Sequence, residues 1–155
     1  MLKYAFVPLR LAMFLLTTAS FSAHATLGGD SSSIETDRVG LGAQMPAVVS
    51  TTATHSVYQL ILPGETIVRQ FVSASGTVFA VVWSGPFKPD LRQILGPHFD
   101  TMLAHQADAT HAGNPRNTVS EGNLVIESGG RMRDFFGRAY LQRELPVGVT
   151  PQNLK

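Results

Sequence analysis

Three short segments rich in β-branched and aromatic residues follow one another in the middle of the chain, at residues 57–62, 66–73 and 77–83. Such residues favour β-strands. Pro63-Gly64 separates the first two segments, and Gly76 lies in the short break before the third, where glycine supplies the backbone freedom that a tight turn requires. The sequence therefore predicts a meander of three antiparallel strands.

The last of these segments is apolar at every position. Alternation along a strand predicts two sets of side chains, Val78, Ala80 and Val82 on one face and Phe79, Val81 and Trp83 on the other. Such a strand is either covered on both sides, which is the favoured alternative, or it presents one face to a partner. The partner alternative assigns the binding surface to Phe79, Val81, Trp83 and Phe87.

A helical pattern follows these strands. Asp90, with Gln93 three residues later, has the spacing of a capping box. Apolar residues then recur at helical spacing as far as Leu103, and Gly96-Pro97 interrupts them, which predicts a kink or two short helices.

A second β pattern follows a surface loop predicted at residues 107–121. Residues 123–128 and 131–141 flank Gly129-Gly130, as in a β-hairpin with a two-residue turn. The predicted fold class is α+β, an antiparallel sheet of about five strands with one kinked amphipathic helix on one face.

The amino terminus has the features of a signal peptide. Lys3 and Arg10 accompany an apolar run from Leu11 to Phe21, and Ala23-His24-Ala25 fits the small-x-small pattern of a cleavage site. An exported protein, periplasmic or secreted, is therefore expected. The predicted organisation is a signal peptide at residues 1–25, a flexible leader at 26–55, one α+β domain at 56–146 and a tail at 147–155.

Composition excludes several classes of protein. The chain has 12 basic and 11 acidic side chains, and removal of Lys3 and Arg10 leaves ten against eleven, which argues against a general nucleic-acid binder. The apolar run is about half the length of a membrane-spanning helix, so no membrane span is predicted. The absence of cysteine excludes disulfides and a lipid-anchored cysteine. No cofactor is predicted, and the oligomeric state stays open.

Four segments together resemble a known family. They are VRQFVS at 68–73, VFAVVWSGP at 78–86, PDLRQILG at 89–96 and GRAYL at 137–141, with Gly76 between the first two. They are similar to domain of unknown function 2844, a family of small exported bacterial proteins. The resemblance implies an exported, cysteine-poor, single-domain protein, and the family has no established activity or catalytic residue. Other members often have His at the position of Arg131 and an acidic residue at the position of Gln70.

Two sequence blocks mimic those of a serine hydrolase. Gly29-Asp30-Ser31 would supply a nucleophile, and Asp108-Ala109-Thr110-His111 would supply His111 as base with Asp108 to orient it. The context argues against this assignment, because the chain lacks the alternating strands and helices that support such a nucleophile.

Histidines and carboxylates allow two further hypotheses. A small enzyme acting on envelope material would use His98, Asp100 or His111 as acid–base groups. A metal site would draw on His98, His105, Asp108 and His111. Because these residues form no compact ligand motif, and His98 lies on the apolar side of the predicted helix, no metal site is predicted.

Arginines are concentrated near the last hairpin. The four candidates for binding an anion or a glycan are Arg131, Arg133, Arg138 and Arg143. Strand alternation predicts that Arg131 and Arg133 share a face. Acidic residues close in sequence favour an ordinary salt-bridged surface as the alternative.

The function that these patterns favour is that of a noncatalytic accessory protein of the cell envelope. It would bind another envelope or exported protein through the aromatic face of the sheet or through an edge strand. The alternatives are a small envelope-acting hydrolase and an anion- or glycan-binding module that uses the arginines near the last hairpin.

Overall fold

The computed structural model describes residues 27–109 and 117–155, so the predicted signal peptide and His111 lie outside the described residues. Seven antiparallel strands form one sheet in the order β1-β2-β3-β4-β7-β6-β5. The strands are β1 (Ala47–Thr51), β2 (His55–Ile61), β3 (Ile67–Ser73), β4 (Val78–Gly85), β5 (Asn117–Glu121), β6 (Leu124–Arg131) and β7 (Asp134–Leu141). The helices are α1 (Ser33–Gly40), α2 (Leu91–Leu95) and α3 (His98–Ala109), and short 3-10 turns occupy Gln142–Glu144 and Pro151–Asn153.

The α+β class is confirmed, but the predicted strand number and the single kinked helix are wrong. The sheet has two more strands than expected, β1 and β5, which form its two edges. Asp90 caps α2 by accepting hydrogen bonds from the backbone N–H groups of Arg92 and Gln93, as its position in the sequence predicted. Gly96 then takes a φ of 51°, which ends α2 and separates it from α3.

Apolar side chains are buried on both faces of the sheet. The helices cover the first face, where Ile94, Leu95 and Met102 belong to a cluster that includes Val68 and Trp83. A smaller cluster lies on the opposite face, called the second face below, and contains Val57, Phe71, Phe79, Ala80, Val125, Tyr140 and Leu154.

A β-bulge in β4 changes which side chains share a face. Phe71 pairs with Ala80 and Val72 pairs with Val78, so Phe79 is an extra residue in β4. The cluster under the helices therefore contains Val78, Val81 and Trp83, and the second-face cluster contains Phe79 and Ala80 with Val82 packed against it. The predicted alternation was wrong because it assumed an uninterrupted strand.

Both segments predicted to lie outside the domain take part in the fold. Leu27 and Ile34, in the predicted leader, are buried in the cluster under the helices. The backbone N–H of Leu27 donates to the carbonyl of Ile94 at 3.2 Å. In the predicted tail, Leu154 is buried in the second-face cluster, and the carbonyl oxygen of Pro151 accepts a hydrogen bond from Arg138. The carboxyl-terminal segment thus packs on the second face.

The turn of the last hairpin lies at Met132 and Arg133 rather than at the two glycines. Arg131 pairs with Asp134 at the end of the ladder, and Arg133 takes a φ of 65°. Gly129-Gly130 therefore lies within β6. The predicted shared face of Arg131 and Arg133 is wrong because Arg133 belongs to the turn, where strand alternation does not apply.

Candidate functional site

A row of polar and charged residues, interrupted by one valine, crosses the second face. Successive cross-strand partners in this row are Gln59, Arg69, Val82, Arg138, Glu127 and Thr118, on β2, β3, β4, β7, β6 and β5. Directly paired residues of antiparallel strands lie on the same face, so these side chains share one surface. The row lies beside the apolar second-face cluster.

A groove with a volume of about 400 Å³ lies over this row. Its lining includes Arg69, Val82, Glu127 and Arg138 from the row, together with Phe136, Leu154 and Lys155. Phe136 is 45% exposed, whereas Leu154 is buried. The carboxyl-terminal segment therefore contributes to the groove, and apolar and charged groups meet in it.

The two arginines of the groove differ in their partners. Arg138 donates to Glu127 Oε2 through Nε at 2.8 Å and through Nη2 at 2.6 Å, and its Nη1 donates to the carbonyl of Pro151. Arg69 donates only through Nε, to Gln59 Oε1 at 3.1 Å. Within the described residues, no carboxylate forms an ion pair with Arg69. The charge of Arg138 is therefore balanced inside the groove and that of Arg69 is not.

The four arginines predicted to bind an anion do not form one cluster. Arg131 and Arg133 lie at the exposed tip of the last hairpin, and Arg143 lies beyond the other end of β7. The eight residues of β7 span about 25 Å at the usual rise per residue. Of the four arginines, only Arg138 lines the groove. Its guanidinium group forms an ion pair with Glu127.

The four aromatic and apolar residues predicted to bind a partner lie in different surroundings. Phe79 and Val81 are fully buried and Trp83 is 2% exposed, which agrees with the core alternative for these three. Phe87 is 56% exposed and lies beside Gly64. The edge-strand hypothesis refers to β1, in which all five side chains are exposed, or to β5 at the other edge, and it stays a prediction.

A buried polar cluster joins α1 to the sheet and to α2. The carboxyl group of Asp37 accepts hydrogen bonds from the side-chain amides of Gln70 and of Gln93, the latter at 2.8 Å. Burial raises the pKa of Asp37 from 3.8 to about 7, although the two amide bonds oppose this shift. Gln70 Oε1 is buried and has no hydrogen-bond partner among the described residues. This cluster lies away from the groove lining.

Among the predicted acid–base and metal-binding residues, His98, Asp100, His105 and Asp108 lie on α3, whereas His111 lies outside the described residues. His98 is partly buried, and burial lowers its pKa. Asp100 forms an exposed ion pair with Arg92 at 3.6 Å, and His105 contacts Glu121 at 2.8 Å. None of these residues lines the groove. Within residues 27–109 and 117–155, no three His, Cys, Asp or Glu residues form a group able to hold a metal ion.

The residue that distinguishes the groove, Arg69, was not among the predicted site residues. A usable signal was present, because Arg69 is a lone basic residue in the apolar strand 67–73 and strand alternation puts it on the same face as Phe71. The row itself was not predictable, since it depends on the register of strands that are far apart in sequence. Across the described part of the chain, no helix is long and apolar enough to cross a membrane.

Comparison with known proteins gives one family. The family described as "Protein of unknown function (DUF2844)" matches residues 23–154, which confirms the resemblance of the sequence motifs. The matched range includes every residue that lines the groove except Lys155. A search of curated proteins and a search of solved structures each found no match.

Proposed function

We propose that this chain, which belongs to the DUF2844 family, is an exported, noncatalytic binding protein of the bacterial cell envelope, and that the groove on the second face is its binding site. The observation that carries this proposal is the combination of a concave surface of about 400 Å³ with the unbalanced charge of Arg69. Ligand sites in proteins are typically concave, largely apolar and equipped with a few polar groups that orient the ligand.

Export is supported by the amino-terminal sequence. A basic start, an apolar run and Ala23-His24-Ala25 precede Leu27, which is the first buried residue of the described chain. Cleavage after Ala25 would therefore leave the described fold complete. The near-neutral charge expected after cleavage also fits a protein that does not bind nucleic acid generally.

A binding role is supported over catalysis by the ionisable groups of the groove. Among the lining residues within the described part of the chain, Glu127 has the only side-chain carboxylate and none is a histidine. Arg138 binds Glu127 Oε2 in an ion pair, so the one side-chain carboxylate of the groove already has a charged partner. Ser84, Thr118 and Ser128 supply hydroxyl groups, but the carboxylate nearest to them in the row, that of Glu127, is held by Arg138 and not by a hydroxyl group.

Photo-crosslinking from the groove tests this proposal in living cells. A photoreactive phenylalanine analogue replaces Phe136, a partly exposed wall of the groove, and in a matched variant it replaces Met132, which is 90% exposed at the tip of the same hairpin. We expect one recurrent adduct from position 136 that is missing from position 132, identified by mass spectrometry of the exported protein. The same adducts from both positions, or no adduct from position 136, would contradict the proposal.

A further inference from the structure

Arg69 presents unused hydrogen-bond donors inside the groove. Its Nε donates to Gln59 Oε1, whereas its two Nη groups form no hydrogen bond or ion pair with any residue of the described chain. The side chain is partly buried. A guanidinium group in such a position favours an oxyanion, since its planar fork can donate two parallel hydrogen bonds to a carboxylate or phosphate.

The bond from Gln59 orients Arg69 without neutralising it. A side-chain amide carries no net charge, so this contact fixes the guanidinium group and leaves its positive charge for another partner. Arg138 provides the contrast within the same row, because Glu127 already balances its charge. The two arginines flank Val82, and their backbones lie two strand spacings apart, about 10 Å. An incoming anion therefore has one preferred position, at Arg69.

Apolar groups border the rest of the groove. Val82 lies between the two arginines, and Phe136 and Leu154 contribute further apolar surface to the lining. The volume of about 400 Å³ fits a small molecule. Among the described side chains of the lining, Arg69, Arg138 and Lys155 are basic and Glu127 is acidic, so these side chains complement a negatively charged ligand.

We infer that the groove binds a small amphipathic anion, with its oxyanion on the Nη groups of Arg69 and its apolar body along Val82 toward Phe136 and Leu154. This inference rests on the proposed function and names the ligand class of the same site. Carboxylates and phosphate monoesters share this chemistry, and the affinities for the two head groups distinguish them.

Titration with octanoate, octyl phosphate and octanol tests the inference on the purified protein. Calorimetry measures the affinity for each of the three compounds. We expect at least one of the two anions to bind about tenfold more tightly than octanol, since a charge-assisted hydrogen bond is lost with the alcohol. The tighter anion identifies the preferred head group.

Substitutions of arginine locate the anion. Arg69→Gln is expected to weaken the preferred anion about tenfold and to leave the affinity for octanol unchanged. Arg143→Gln, an exposed arginine outside the groove, is the matched control and should bind like wild type. Arg69→Lys keeps the charge and loses the fork, so we expect an intermediate affinity. Thermal unfolding of each variant verifies that it is folded.

Two results would overturn the inference: octanol binding as tightly as both anions, or a folded Arg69→Gln variant that binds the anion like wild type. The photo-crosslinking experiment separates this failure from that of the proposed function. A specific adduct from position 136 without anion binding leaves the groove as a binding site and removes the amphipathic anion as its ligand. If neither a specific adduct from position 136 nor anion binding is observed, the proposal that the groove is a binding site is also wrong.

Discussion

At the scale of single residues, Asp37 is a carboxyl group without a charged partner. It is fully buried, and its hydrogen bonds come from two neutral amides. Its charged neighbours Glu35 and Arg38, on the same helix, pair with each other at the surface. A buried carboxylate held only by amides is costly, so the group keeps a proton at pH values where an exposed aspartate is ionised.

This proton makes the stability of the protein depend on pH. Asp37 ionises near pH 4 in the unfolded chain, whereas burial raises its pKa to about 7 in the folded protein. The folded state therefore binds more protons than the unfolded state between these values, and the free energy of unfolding should fall as the pH rises from about 4 to about 7. Urea denaturation at a series of pH values measures this slope.

Asp37→Asn keeps the shape of the side chain and removes the titration. We expect this variant to lose the fall in stability between pH 4 and pH 7 and to be more stable than wild type at pH 8, by up to about 4 kcal/mol. Glu35→Gln, on the exposed side of the same helix, is the control and should keep the slope. An unchanged slope in Asp37→Asn would show that another group causes the pH dependence.

The ring of Trp83 leaves no space for a side chain at position 137, where the chain has glycine. A Cβ atom at this position would overlap Trp83 Cζ2 and Cε2 and would lie 2.8 Å from the carbonyl oxygen of Glu127. Gly137→Ala should therefore destabilise the protein by about 2–3 kcal/mol, because a buried ring and a strand backbone must both move. Chemical denaturation followed by Trp83 fluorescence measures the loss.

Gly129→Ala is the matched control for Gly137→Ala. The three atoms nearest to its Cβ would all belong to the ring of Phe136, which is exposed and able to turn away. We expect a change in the free energy of unfolding below about 1 kcal/mol. If both variants lost the same free energy of unfolding, the close approach of Trp83 would not be the reason why position 137 requires glycine.

At the scale of secondary-structure elements, the central strands were predictable and the edges were not. The segments that became β2, β3 and β4 are β-branched, aromatic and bounded by glycine or proline. All side chains of β1 are exposed, so burial imposes no apolar alternation on it. The β4 bulge was equally hidden, because a segment that is apolar at every position looks the same with and without an extra residue.

The packing of the carboxyl-terminal segment could not be predicted from the sequence either. Its sequence after Leu145-Pro146 has no periodicity, yet Leu154 is buried against the second-face cluster. The groove could not be predicted for this reason, since one of its walls comes from a segment that is held by Leu154, by the partly buried Val149 and by one backbone carbonyl. Arg69 and Arg138 come together only through strand register.

Leu154→Ala tests whether this segment is a stable part of the fold. The substitution removes a buried side chain, and we expect a loss of about 2 kcal/mol in the free energy of unfolding together with faster proteolysis after residue 146. Val147→Ala, at a position that is 94% exposed, should leave both measurements unchanged. If Leu154→Ala behaves like Val147→Ala, the segment is not held by this side chain.

At the scale of the whole molecule, the sheet has a layer on each face and the chain termini supply parts of both. Residues 27–43 extend the layer under the helices through Leu27, Ile34 and Ala43, and the carboxyl-terminal segment covers part of the second face. A sheet with apolar side chains on both faces requires both coverings. The first covering begins at Leu27, two residues after the predicted cleavage site.

This arrangement predicts how far the amino terminus can be shortened. A protein that starts at Thr26 keeps Leu27, whose side chain is buried and whose N–H donates to Ile94, and should unfold at the same temperature as the unprocessed chain. A protein that starts at Gly29 loses this side chain and should be less stable by about 3 kcal/mol, comparable to the truncation of a core leucine. Thermal unfolding of residues 26–155 and 29–155 measures the difference. Equal melting temperatures would mean that Leu27 does not anchor the amino-terminal covering.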